Sequence, residues 1–152
     1  MTKIKEYDFP DDLYYHEKYA WAKVEEGNKV RVGMTDIFQK EAGDVVYVDL
    51  PFEGDDVEQG ETCGKIQSSK WIGKLVSPVS GAILEVNAEL EDDSTLINKD
   101  PYGDGWIMVL EPSNLEADLK SLMRGDALDS WVEAEVKRAE QLRKKGEEGK
   151  EE

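Results

Sequence analysis

The sequence predicts a mainly β domain, a flattened sandwich with helices at its carboxyl end. Three observations carry that expectation. Strand signals fill the stretch from residue 21 to 110, turn residues interrupt them at short intervals, and the last third shifts to helical spacing.

Residues 21–25 alternate, Glu26-Gly27-Asn28 reads as a turn, and residues 29–32 alternate again, so the two runs form a hairpin. Residues 34–43 have the pattern of a short helix, with Thr35 as its N-cap and Gly43 closing it. Further strands are expected at 45–50, 62–67, 74–76, 82–86 and 106–110, with Asp100-Pro101-Tyr102-Gly103-Asp104-Gly105 as turns before the last. Ser113-Asn114-Leu115-Glu116 has capping-box spacing and predicts a helix through Leu115, Leu119, Leu122 and Met123. Beyond Gly125, a second helix places Leu128, Trp131, Val132, Val136, Ala139 and Leu142 along one face. Residues 144–152 are almost wholly charged and are expected to fray, leaving 1–143 as a single domain.

A faint internal repeat sharpens the sandwich expectation. Gly43-Asp44-Val45-Val46-Tyr47-Val48 parallels Gly81-Ala82-Ile83-Leu84-Glu85-Val86, and an acidic stretch follows each copy. Two similar strand units flanking a central segment imply a pseudo-twofold sandwich or flattened barrel.

Composition narrows the function classes. A net charge of −16 disfavours nucleic acid and anionic membranes as partners; it permits steered encounters with basic surfaces, though solubility or a saline habitat is the plainer explanation. No apolar run approaches the ~20 residues that cross a bilayer. The amino end is too polar for a signal peptide, and a single cysteine, Cys63, fits a reducing cytoplasm. One histidine (His16), one cysteine and no phosphate-binding glycine loop leave few ways to assemble a nucleophile and base, so no catalytic residues are assigned. Of the acidic stretches, Asp100-Pro101-Tyr102-Gly103-Asp104-Gly105 lacks the ligand spacing of an EF-hand and reads as turns, so no metal site is assigned either.

Between the repeat copies, Ser68-Ser69 and Gly73 mark a turn between two short strands, and Lys70 projects from its tip. An exposed lysine amine has a pKa of ~10.4 and is a poor nucleophile without burial or a neighbouring cation. A tip amine is, however, accessible to another enzyme that acylates it. By position alone the plainer reading is a solvated charge that discourages edge pairing.

The chain resembles the H protein of the glycine cleavage system from about Phe9 to Val132. The matching stretches are Phe9-Pro10-Asp11-Asp12-Leu13-Tyr14-Tyr15, Val32-Gly33-Met34-Thr35-Asp36, the 43–51 run, Ser77-Pro78-Val79-Ser80-Gly81 with the strand after it, and the 98–106 run. Their order and spacing together are specific. In that family the lipoylated lysine lies eight residues before the proline of the Ser-Pro-Val-Ser-Gly stretch, which lands on Lys70 and not on Lys65 or Lys74. The resemblance implies a lipoyl/biotinyl-type sandwich (a barrel-sandwich hybrid) with lipoate joined by an amide to Lys70. It implies a carrier, not an enzyme, served by a lipoate–protein ligase and dihydrolipoamide dehydrogenase. The Met-Lys-Met tip of biotin carriers is absent, since Ser69 precedes Lys70 and Trp71 follows it.

Three departures bear on the pathway. Tyr19-Ala20-Trp21 stands where the family tends to carry His-Glu-Trp, Gln67 replaces a glutamate before the arm, and Trp71-Ile72-Gly73-Lys74 replaces a small, acidic run after it. Trp71 is expected either to contact a partner enzyme or to fold back on the sheet. The Lys-Trp-Ile-Gly run is similar to H-like lipoate-binding proteins of heterodisulfide-reductase-like sulfur oxidation. That system is the expected one, with its reductase-like complex as partner. Glycine cleavage and its enzymes are the alternative, and an unlipoylated scaffold protein the remaining reading.

Overall fold

The computed structural model describes the backbone of residues 2–5, 7–70 and 72–151, and their side chains except those of Thr2 and residues 142–151. The central hairpin pairs β4 (Ala20–Glu25) with β5 (Lys29–Met34), from Ala20↔Met34 to Glu25↔Lys29. Alternation decides which layer each residue joins. Ala20 and Ala22 enter one cluster with Val30, Val32 and Met34, while Trp21 between them enters another.

The hairpin belongs to a six-stranded antiparallel sheet, completed by β3 (Tyr14–Tyr15), β7 (Asp56–Val57), β10 (Gly81–Val86) and β11 (Met108–Pro112), in the order β3-β4-β5-β11-β10-β7. A smaller antiparallel sheet, ordered β6-β8-β9, contains β6 (Val45–Asp49), β8 (Thr62–Ser68) and β9 (Ile72–Val76). Val45, Val48, Ile66 and Leu75 of the small sheet meet Ala22, Val32, Ile83 and Leu110 of the large one in a single core. The sheets form an open sandwich; neither closes into a barrel among the described residues.

The repeat has a structural counterpart. Its two copies become β6 and β10, one in each sheet. Both strands shift register at matching positions, β6 between Val45 and Tyr47 and β10 between Ile83 and Glu85. A residue skipped by the ladder is left unpaired and turns outward. Val46 and Leu84, equivalent in the repeat, are accordingly 55% and 41% exposed.

A second apolar cluster covers the other face of the large sheet. There Phe9, Leu13, Tyr15, Trp21 and Ile37 pack with Leu128 and Val132 of α5 (Asp126–Glu151). Tyr19 pins this helix: its hydroxyl donates to Glu135 Oε2 at 2.6 Å and accepts from Arg138 Nη2 at 2.7 Å, and its ring lies 5.7 Å from that of Trp131. The Tyr19 departure is thus matched by partners on α5.

Several expectations need correction. The capping box does not form: α4 (Leu115–Lys120) starts from Asn114, with no side-chain bond at the cap. Ser113 instead extends the sheet, its N–H donating to Ser80 O at 3.0 Å. The last strand runs later than expected because Asn87 Nδ2 donates to the carbonyls of Asp104 and Trp106, tying that stretch into the preceding turn. The backbone of α5 is helical as far as Glu151, the last residue described. Short elements also escaped the periodicity: the hairpin β1 (Thr2–Ile4) with β2 (Tyr7–Phe9), and the one-turn helices α2 (Glu89–Asp92) and α3 (Leu96–Lys99).

Trp21 is fully buried, and its Nε1 donates to Pro101 O at 2.9 Å. Its ring covers Gly33, the residue across the ladder, so closely that a Cβ there would lie 2.6 Å from the indole. Trp21→Ala is therefore expected to cost about 3–5 kcal/mol of unfolding free energy in urea titration, by loss of burial and the cavity left behind.

Candidate carrier site

The site begins with α1 (Asp36–Ala42), whose two ends were legible in the sequence. Thr35 Oγ1 accepts from Phe38 N, and Gly43 closes the helix with its N–H donating to Gln39 O at 3.1 Å. Gly43 has φ 77° and ψ −160°, a conformation open essentially to glycine alone. A network at the start of the helix fixes its position. Buried Asp36 accepts from Asp8 N at 2.9 Å and from Gln39 Nε2 at 2.8 Å, while Tyr102 OH donates to Asp8 O and accepts from Asp36 N.

Gly43 forms the floor under Lys70. The hairpin of β8 and β9 folds its tip onto this corner: Ser69 N donates to Asp44 O at 2.9 Å, and Lys70 N donates to Ser68 Oγ at 3.3 Å. The second bond is the local turn that a serine favours two residues ahead of an N–H. A Cβ on Gly43 would meet Ser69 Oγ at 3.0 Å and Lys70 Cε and Cδ at 3.6 and 3.9 Å. The aliphatic stem of Lys70 thus runs across the glycine, and the residue as a whole is exposed. Trp71 lies outside the described residues.

Asn98, at the middle of α3, holds the floor in place. Its Nδ2 donates to Gly43 O at 2.8 Å and its Oδ1 accepts from Val45 N at 2.9 Å. Ser94 Oγ donates to Val45 O at 2.9 Å. Both backbone groups of Val45 therefore bond to side chains, at the place where β6 begins its register shift. Sequence reasoning gave neither Asn98 nor Ser94 a role, and took Gly43 as a helix terminator and the start of a repeat, not as a floor for Lys70. No local signal marks a side chain whose partners lie so far along the chain.

The remaining reactive groups do not converge on Lys70. Cys63 sits half-buried against the core, where burial and, less strongly, the Glu61 carboxylate push its thiol up to about 11. It stays protonated at neutral pH and is a poor redox partner. Burial lowers the pKa of His16, whose Nδ1 accepts from Lys18 N at 3.0 Å in a turn of the chain. Among the described residues no group of three or more His, Cys, Asp or Glu side chains is placed to hold a metal ion. No helix among them is long and apolar enough to cross a membrane.

A sandwich that presents one lysine at a hairpin tip on a hydrogen-bonded floor has the build of a carrier, with reactive chemistry hung on the tip and catalysis left to others. The family model for the glycine cleavage H-protein matches residues 13–135. The chain is 46% identical over 134 residues to a probable glycine cleavage system H protein of Pyrococcus abyssi, covering 88% of this chain and 99% of that one. It is 42% identical over 128 residues to the glycine cleavage system H protein of Halalkalibacterium halodurans, covering 84% and 98%. The crystal structure of a glycine cleavage system H protein from Mycobacterium marinum superposes with a TM-score of 0.73 at 32% identity, covering 84% of this chain and 99% of that chain.

The chain belongs to the glycine cleavage H-protein family, whose members carry lipoate covalently on a lysine and are carriers, not catalysts. The lipoyl-type sandwich expected from the sequence is the fold observed.

Asn98→Ala removes one donor and one acceptor from the floor and leaves Gly43 O and Val45 N in need of partners. The expected cost is about 1–3 kcal/mol of unfolding free energy, read by urea denaturation. Broadened amide resonances at residues 43–45 and 68–70 are the accompanying sign.

Proposed function

We propose that Lys70 is the lysine that takes lipoate in amide linkage, and that the protein is the lipoyl carrier of a glycine cleavage system. The observation that carries this reading is the Lys70 stem lying on Gly43 with the residue exposed at the hairpin tip, eight positions before Pro78. Bound lipoate supplies a dithiolane that opens by attack at sulfur and closes again by thiol–disulfide exchange.

The chain's own part is mechanical. Acylation converts the Lys70 ammonium to a neutral amide, which removes a cation from the tip. Ser68 and Gly43 hold the root, so the arm's reach is measured from a fixed point, and a tethered group arrives at a partner site at high effective concentration. No proton-transfer or nucleophilic set stands beside Lys70 among the described residues, so each bond-making step is the partner's. Lipoate–protein ligase loads the arm, glycine decarboxylase and aminomethyltransferase use it, and dihydrolipoamide dehydrogenase reoxidises it. The reading sets these encounters in the cytoplasm, in keeping with a lone unpaired cysteine.

A second reading, a carrier for heterodisulfide-reductase-like sulfur oxidation, rests on the Lys70-Trp71-Ile72-Gly73 run in the sequence, with Gln67 and Lys74 near the arm as further departures. Both are exposed and replace acidic groups expected from the family pattern. The relatives, which are glycine cleavage system H proteins or probable ones, favour glycine cleavage.

The two readings separate in one assay. Fully lipoylated protein is expected to sustain glycine-dependent CO2 release by glycine decarboxylase with aminomethyltransferase, and Lys70→Arg to abolish it. No turnover by a protein shown by mass to be lipoylated overturns the glycine cleavage reading.

A further inference from the structure

We propose that the outer face of the β6-β8-β9 sheet is the surface on which an arm-using enzyme docks, and that the enzyme meets it with carboxylates set beside an apolar contact. The proposal rests on Lys70 being the root of the arm. The pairing registers align two rows across the three strands. Tyr47, Gln67 and Ile72 form the row nearer the tip, and Asp49, Lys65 and Lys74 form the next. All six are exposed, while Val48 and Ile66 in the row between them are buried in the core.

Two features of this face are not needed by the fold. Tyr47 and Ile72 leave 59% and 67% of their surface in water, at either end of one row. Lys65 and Lys74 stand directly opposite one another, an arrangement that destabilises a sheet. Among the described residues neither lysine has an ion-pair or hydrogen-bond partner. Discouraging edge pairing accounts for a lysine on β9, which is an edge strand, but not for Lys65 on the central strand β8.

Charge points to the occupant. The chain carries 35 acidic and 19 basic side chains, yet these two rows hold two lysines and one aspartate. At physiological salt the Debye length is about 8 Å, so distant acids are damped and the contact face governs a docked encounter. A partner carboxylate opposite Lys65 and another opposite Lys74 would relieve the like-charge pair. An apolar partner side chain would cover Tyr47 and Ile72. Because β8 and β9 are the two legs of the hairpin that carries Lys70, a partner seated here holds the arm's root at its own entrance.

The test uses the full-length lipoylated protein, with loading checked by intact mass and folding by thermal unfolding. Lys65→Glu/Lys74→Glu is expected to raise KM for the carrier by about tenfold or more with glycine decarboxylase, with kcat within about twofold. Lys65→Gln/Lys74→Gln gives a smaller rise, and the gap to wild type narrows between about 50 and about 300 mM salt. Lys23→Gln/Lys29→Gln, on the exposed part of the large sheet, leaves KM unchanged. An unchanged KM in the double-glutamate variant overturns the docking surface while leaving the carrier reading intact. Wild type that is lipoylated but not turned over overturns the glycine cleavage reading, and the variants are then titrated against a heterodisulfide-reductase-like complex. There, affinity weakened by about tenfold supports the surface, while equal affinity, or binding to neither enzyme, overturns it.

Discussion

Asn98 links α3 to the corner beneath the hairpin tip through two hydrogen bonds, one to each side of Asp44. With Lys70 as the proposed attachment point, the arm's position depends on that corner. Gly43 must hold a backbone conformation that other residues avoid, and its carbonyl is held by Asn98 Nδ2. Anchoring comes from both directions: Ile97 is buried in the core beside Asn98, and Asp36 and Tyr102 fix the start of α1. Three segments remote in sequence thereby specify one small area of backbone, and Lys70 lies across it.

Rigidity at the root and freedom at the end are complementary requirements of a carrier. A tether raises local concentration only when the volume it sweeps includes the partner's site, so an anchor that drifted would dilute that gain. A catalyst makes the opposite demand, needing reactive groups held against each other. Here the groups that could react are kept apart and quiet: Cys63 is protonated and packed against the core, and His16 is engaged in a turn. The acidity of the chain as a whole makes Lys65 and Lys74, without ion-pair partners among the described residues, a local exception beside Lys70, one that a docking partner would explain.

Local chemistry was legible in the sequence, and long-range chemistry was not. Thr35 and Gly43 bracket α1 because capping and a left-handed φ are properties of single residues. The β4–β5 hairpin and the repeat were readable from period alone, and the repeat proved deeper than its residues suggested, since both copies break register at the same place. Capping-box spacing at Ser113 misled because a sheet neighbour, Ser80, claimed that residue's backbone. Short elements such as β3, β7 and α2 carry too few residues to show a period, and tertiary pairing makes them. Lys70 was proposed from its spacing within a family pattern, whereas Asn98, 55 residues from Gly43, could be given its role only from the fold. Pathway was the weakest inference: a few residues around the arm pointed to sulfur oxidation, while relatives matching over 84% or more of the chain carry the glycine cleavage name.

The central claim is that one lysine, chosen by its floor and not by its neighbours' charge, bears the arm. Lys65, Lys70 and Lys74 all lie on the same hairpin and all are exposed, so exposure alone does not select among them. Peptide mapping by tandem mass spectrometry after treatment with lipoate, ATP and a lipoate–protein ligase decides the matter. The account predicts a single lipoyl increment on Lys70, absent from Lys70→Arg and retained in Lys74→Arg. An increment on Lys65 or Lys74, or one that survives in Lys70→Arg, would contradict it.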